Sequence, residues 1–168
     1  MNQITKNIAS LFLFFSLFGY ANPIPESGKE IVVGADNFKA YLPLLKNKKV
    51  GIVTNQTGIL TNKKHLVDFL VEKKIKIKTI FAPEHGFRGT ADAGEHVSDD
   101  IDQKTGLPIV SLYGKNQKPK PEQLEGIDIM VFDLQDVGAR FYTYISSLHY
   151  VMEACAENNI PLLVLDRP

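Results

Sequence analysis

The sequence is short of several things, and each shortage closes a route. It holds one cysteine, Cys155, in 168 residues, so neither an internal disulfide nor a cysteine-rich zinc site can form. It has no excess of either charge: 19 basic residues face 19 acidic ones. A neutral chain lacks the general field that draws a protein onto nucleic acid, so no nucleic-acid partner is expected. No apolar run approaches the ~20 residues that cross a bilayer, so no stable membrane anchor is expected. No Gly-x-Gly-x-x-Gly or Gly-Lys-Ser/Thr pattern follows an apolar run, which removes support for a dinucleotide or P-loop site. Hydrophobic residues are 44%, too many for a disordered chain.

What is present begins with an address. Lys6 precedes a short apolar core, Leu11 to Phe18, and Gly19-Tyr20-Ala21 offers small residues where a signal peptidase reads. Residues 1–21 are therefore expected to be a secretory signal peptide and the product to be periplasmic or secreted. Residues 22–168 are expected to fold as one domain. Short apolar runs recur at Val50–Thr54, Ile75–Phe81, Ile109–Tyr113, Ile127–Phe132 and Leu162–Leu165. Between them lie helical spacings: Phe38, Tyr41, Leu42 and Leu45; then Leu66, Phe69 and Leu70 with Thr61 as the expected N-cap; then Ser146 to Glu157. Strands apolar on both faces and separated by helices predict an α/β fold, with a Rossmann-like open, mostly parallel sheet and helices on both faces. Cys155 falls on the apolar side of the last helix and reads as a buried small hydrophobe. The lysine-rich stretches fall near helix ends and strand starts and read as solvated charge. His65 and His149 read as surface or packing residues.

In such a sheet ligands bind beyond the carboxyl ends of the strands. The expected exits carry Asn55-Gln56-Thr57-Gly58, then Glu84-His85-Gly86-Phe87-Arg88, then Tyr113-Gly114, then Asp133 to Tyr144, then Asp166-Arg167. Turns alone would need only Gly, Asn and Ser, whereas these exits hold carboxylates, amides and tyrosines. The chain has 16 lysines and three arginines, and Arg88, Arg140 and Arg167 all lie in exits. A guanidinium fork suits a carboxylate, though pairing with nearby acids is the alternative. The segment Pro83–Gly106 lacks periodicity and holds His85, His96, Glu84 and Glu95. A carboxylate there serves as a general acid or base with His85 and Arg88 orienting the ligand. A divalent metal on Glu84, His85, Glu95 and His96 is the rival, but the spacing matches no standard motif, so neither a metal nor a cofactor is expected. Asp99, Asp100 and Asp102 read as solvated loop charge.

Glu84-His85-Gly86-Phe87-Arg88-Gly89, Thr105-Gly106-Leu107-Pro108, Ser111-Leu112-Tyr113-Gly114 and Phe132 through Tyr144 together resemble the NamZ family of exported exo-β-N-acetylmuramidases. Asn55-Gln56-Thr57-Gly58 and Asp166-Arg167-Pro168 fit the same pattern, and the resemblance covers roughly residues 30 to 168. It implies a Rossmann-like N-terminal catalytic domain, a smaller C-terminal domain, and a site in the cleft between them. Because the chain stops three residues beyond its last expected strand, that domain is expected to be incomplete and the C-terminal one absent. The implied activity is release of N-acetylmuramic acid from the non-reducing end of peptidoglycan fragments, muropeptides or disaccharides.

Glycoside hydrolysis generally uses two carboxyl groups. Glu84 is the expected general acid/base, and Asp133, Asp136 and Glu95 are candidates for the second role. An acetamido sugar can also supply its own nucleophile. Asn55, Gln56, His85, Arg88, His96, Tyr113, Gln135, Arg140, Tyr142, Tyr144, Asp166 and Arg167 are expected to contact the sugar. Asp133 has a second reading, since an Asp ending a parallel strand often braces the next loop. A non-catalytic muropeptide-binding module and a metal-dependent hydrolase remain the rival functions.

Overall fold

The structure, a computed structural model, describes residues 31–84, 86–88 and 100–167. The expected signal peptide therefore lies outside the described residues, as do His85, Glu95, His96 and Asp99. By its internal contacts the chain divides at Ile31/Val32, and the unit from Val32 onward carries the fold.

A 3-10 turn at Gly34–Asp36 leads into helix α1, Phe38–Leu45. Strand β1 (Lys49–Thr54), helix α2 (Leu66–Glu72) and strand β2 (Lys76–Ala82) follow. Strands β3 (Asp100–Ile101) and β4 (Pro108–Ser111), helix α3 (Pro121–Leu124), strand β5 (Ile129–Asp133), helix α4 (Tyr144–Glu157) and strand β6 (Leu162–Val164) complete the order. The sheet runs β3-β4-β2-β1-β5-β6, and only the β3–β4 pair is antiparallel. The parallel strands thus keep the doubly wound order, with β1 between β2 and β5. The direction of winding reverses at β1/β5, the point where such sheets open a crevice at their carboxyl edge.

Period-two alternation sorts the core onto two faces. Val50, Ile52, Ile80, Ile129 and Val131 pack with Tyr41 and Leu45 of α1 and with Leu66 and Leu70 of α2. Val53, Phe81, Met130 and Phe132 pack with Leu124 of α3 and with Val151, Ala154 and Cys155 of α4. Every residue of β5, and every residue of β1 after Lys49, is buried, so both strands are covered on both faces. Helix α1 spans Pro43 because Tyr41 and Leu45 anchor it on either side of the ring.

Three local features depart from expectation. The cap of α2 is His65, not Thr61: the His65 Nδ1 accepts from the Val67 amide, while Thr61 is tied to the Asp36 carboxylate. The Pro83–Gly106 segment contributes β3, a two-residue edge strand. Asp102 is buried rather than solvated. Both of its oxygens take the Arg88 guanidinium, at 2.8 and 2.7 Å, and Thr105 donates its amide to the same carboxylate. Hydrogen bonds from Arg88 hold the Asp102 carboxyl down at about 2, against its burial.

One close approach locks the end of the fold to its beginning. The Gly34 amide donates to the Asp166 carbonyl at 2.7 Å. A side chain at Gly34 would bring its Cβ within 2.6 Å of the Asp166 backbone nitrogen, so only glycine fits there.

Candidate functional site

The site is built from strand exits. At the end of β1 sits Asn55, with no exposed surface. Its Oδ1 accepts from the Thr57 amide at 2.9 Å and from the Thr57 hydroxyl at 2.7 Å, which fixes the orientation of the amide group. Its Nδ2 therefore points the other way and donates to the Tyr144 hydroxyl at 3.0 Å. The Tyr144 oxygen is used as an acceptor, so its own proton is left for a further bond. Burial raises the Tyr144 phenol above its ordinary range, the Asn55 bond lowers it, and the charges of Glu84 and Tyr142 raise it. The Asn55 carbonyl accepts from His65 Nε2 at 2.8 Å, which ties the β1 exit to the start of α2.

At the end of β5, Asp133 is wholly buried. Arg167 meets it bidentately, Nε to Oδ1 at 2.5 Å and Nη2 to Oδ2 at 3.0 Å, and gives Nη1 to the Ile59 carbonyl at 2.9 Å. Burial pushes the Asp133 carboxyl above its ordinary range, and the Arg167 guanidinium offsets this only in part. Gly58 completes the lock, because a Cβ there would stand 2.2 Å from Thr54 Oγ1 and 3.1 Å from Asp133 Oδ2. A carboxylate with no open surface and both oxygens engaged cannot touch a sugar. Of its two readings, this geometry fits the brace.

Glu84 behaves differently. It is half-buried at the β2 exit and lines a cleft of about 180 Å³ with Leu112, Tyr113, Gln117, Thr143, Ser146, Ser147 and Tyr150. One carboxylate thus faces five hydroxyls and one amide. That is the donor and acceptor set a sugar needs, and the α4 amino terminus reaches the same cleft without a side-chain cap. Thr143, Ser146, Ser147, Tyr150 and Gln117 were not among the expected contacts. Four of them stand at i, i+3, i+4 and i+7, a polar face over the first two turns of α4, and that spacing was there to be read.

A second cleft of about 160 Å³ gathers Asp136, Tyr144, Asp166 and Arg167 against the apolar residues Ile145, Leu148 and Val164. Tyr142 packs edge-on to Tyr144 at 6.4 Å, and exposed Phe141 tilts against Tyr142 at 5.6 Å. Gln56 and Gln135 lie exposed beside these exits.

The three arginines part company. Arg167 braces Asp133. Arg88 joins Asp102 and Asp68, the latter at 3.2 Å, and Lys104 reaches Asp68 at 2.5 Å. Arg140 is exposed and makes no ion pair among the described residues. No group of three or more His, Cys, Asp or Glu that could hold a metal ion occurs among the described residues, which do not include His85, Glu95 and His96.

Comparison with known proteins gives this geometry a family. Two crystal structures of DUF1343 family proteins from Bacteroides fragilis NCTC 9343 share the fold. One has a TM-score of 0.73 at 42% identity, covering 82% of this chain and 34% of that one. The other has a TM-score of 0.70 at 46% identity, covering 83% and 35%. The peptidoglycan β-N-acetylmuramidase NamZ of Bacillus subtilis (strain 168) is 54% identical over 129 residues, which are 76% of this chain and 31% of that protein. The chain thus spans about a third of the length of these relatives. The model of the family "Exo-beta-N-acetylmuramidase NamZ, N-terminal" matches residues 50–168, from β1 through Asp133, Arg167 and the Glu84 cleft, and the chain belongs to that family.

Proposed function

We propose that this chain carries the acid/base half of a glycoside hydrolase site, and that the protein releases terminal N-acetylmuramic acid from the non-reducing end of peptidoglycan fragments. The observation that carries the reading is Glu84, a half-buried carboxylate in a hydroxyl-lined cleft at a strand exit. The name of the Bacillus subtilis relative supports the substrate class.

In this reading Glu84 protonates the leaving glycosidic oxygen and the hydroxyls of Ser146, Ser147 and Tyr150 hold the sugar. Tyr144, oriented by Asn55, donates its proton to substrate or to Glu84. The second role falls to Asp136 in the neighbouring cleft, to Glu95, or to the acetamido group of the sugar. Arg140 is the cation open to the lactyl carboxylate of muramic acid, and Tyr142 with Phe141 offers a stacking surface. Export by residues 1–21 brings the protein to its substrate and makes cell-wall turnover its setting.

The test uses the intact protein and a muramic-acid-terminated disaccharide, with free sugar as the readout. Glu84→Gln is expected to lower kcat by about a hundredfold or more. Arg140→Ala is expected to raise KM about tenfold for that substrate, and to leave a glucosamine-terminated analogue unaffected. Wild-type turnover by Glu84→Gln would remove the acid/base assignment. Tight binding without release of sugar would favour a binding module, and loss of activity in EDTA would favour a metal-dependent hydrolase.

A further inference from the structure

The neutral total hides a strong separation of charge. The segments Phe38–Lys49 and Val71–Lys78 contain eight of the chain's 16 lysines and a single acid, Glu72. Glu72 is paired with Lys64 at 2.8 Å, outside both segments. Lys78 turns to the Glu125 carbonyl. The other seven, Lys39, Lys46, Lys48, Lys49, Lys73, Lys74 and Lys76, make no ion pair among the described residues. They gather at the amino edge of the sheet, where Lys49 and Lys76 start adjacent parallel strands as direct partners. The nearby Asp128 carboxylate accepts from the Lys49 backbone amide at 2.7 Å. Favourable placement near helix carbonyls explains Lys46 and Lys73, which follow α1 and α2, but that effect fades beyond the last turn.

These lysines surround apolar surface. A groove of about 560 Å³ runs between α1 and the end of α2, walled by Phe38, Leu42, Pro43 and Ile75 and rimmed by Lys39, Lys46 and Lys73. Leu44 and Val71, on the same two helices, are 54% and 41% exposed. The arginines, whose forks suit discrete carboxylates and phosphates, all lie elsewhere in the chain.

We infer that this edge is a docking surface for an anionic lipid bilayer, on which the lysines meet headgroup charge and the groove residues enter the headgroup–acyl boundary. Lysine, a point charge on a long apolar stem, suits a diffuse anionic plane better than it suits a defined ligand. A phosphodiester polymer would use the charges but leave the apolar wall without a partner. Docked this way, the protein turns the Glu84 cleft, at the opposite edge of the sheet, away from the bilayer.

The experiment is sedimentation of the full chain with vesicles of phosphatidylcholine alone or mixed with phosphatidylglycerol. Binding is expected only with phosphatidylglycerol, and raising salt from about 0.05 to about 0.5 M should weaken it at least about tenfold. The variant Lys46→Glu/Lys73→Glu/Lys76→Glu should weaken it by at least about a hundredfold. Thermal melting checks that it is folded, and the same positions changed to Gln serve if it is not. Phe38→Ser should lower affinity several-fold with the lysines intact. The proposal fails if the wild type ignores anionic vesicles at low salt, or if the lysine variants bind as well as wild type. It also fails if soluble polyphosphate at equal phosphate concentration displaces the protein from the vesicles.

Discussion

His65 shows how one side chain can set a pH response. Its Nε2 donates to the Asn55 carbonyl and its Nδ1 accepts from the Val67 amide, so the neutral ring satisfies both partners and a proton on Nδ1 would break the cap. Burial, opposed by the Asn55 bond and aided by the charge of Arg88, lowers its pKa below the ordinary value. The unfolded chain therefore binds this proton more readily than the folded one. Stability from His65 is complete above about pH 6.5 and is lost as pH falls below it. His65→Ala removes the cap, the Asn55 bond and the edge contact with Phe87 at 4.9 Å. It is expected to cost about 2 kcal/mol at pH 8 in urea unfolding. It should also flatten the decline of stability between about pH 7 and pH 5. The sequence displayed this histidine plainly but not its role, because the role depends on a backbone carbonyl ten residues away. Asp102 and Asp133 were opaque for the same reason. Asp102 reads as solvated charge and Asp133 as a catalytic group or a brace, until a guanidinium distant in sequence closes on each.

At the scale of elements, the end of α2 carries a small measurable cost. Lys74 adopts φ 59, the left-handed region that ends helices and that glycine occupies without strain. Lys74→Gly is expected to raise stability by about 0.5–1 kcal/mol, read as a higher urea midpoint with an unchanged slope. The five parallel strands were legible because each carries a continuous apolar run, although only β1 and β5 are buried along nearly their whole length, and α4 because fourteen residues give the helical period room to repeat. Two elements were not legible. β3 has two residues and α3 has four, too few for any period to show. Elements of that length exist only through what they pair with: β3 leans on β4, and α3 closes over Leu124 in the core. The polar face of α4 is hidden for a different reason: Ser146, Ser147 and Tyr150 lie beyond the strand exit, on a helix whose buried residues set the visible period.

At the scale of the molecule, the doubly wound order marks a crevice before any side chain is considered. The connections leaving β1 and β5 run to helices on opposite faces of the sheet, and Asn55 and Asp133 stand at these exits one residue apart in register, Thr54 being the partner of Asp133. The sequence placed its candidate residues at this edge, but it could not tell an open carboxylate from a sealed one. Glu84 opens to a cleft, whereas Asp133 is sealed by a residue that arrives only after the last strand. The opposite edge carries the lysines, so a chain with zero net charge has two unlike ends.

The Arg167 bridge has a consequence for time as well as for shape. Its guanidinium spans 34 residues to Asp133 and 108 residues to the Ile59 carbonyl, while Gly34 reaches forward to Asp166. Contacts of such long range close late, after the sheet to which they anchor has formed. Arg167→Ala strands a buried carboxylate and is expected to cost about 3 kcal/mol. In stopped-flow kinetics nearly all of that loss should appear as faster unfolding, with the refolding rate almost unchanged. The crevice at the switch point is thus the last part of this sheet to be fastened and the first to come undone, so its shape waits on the docking of β6.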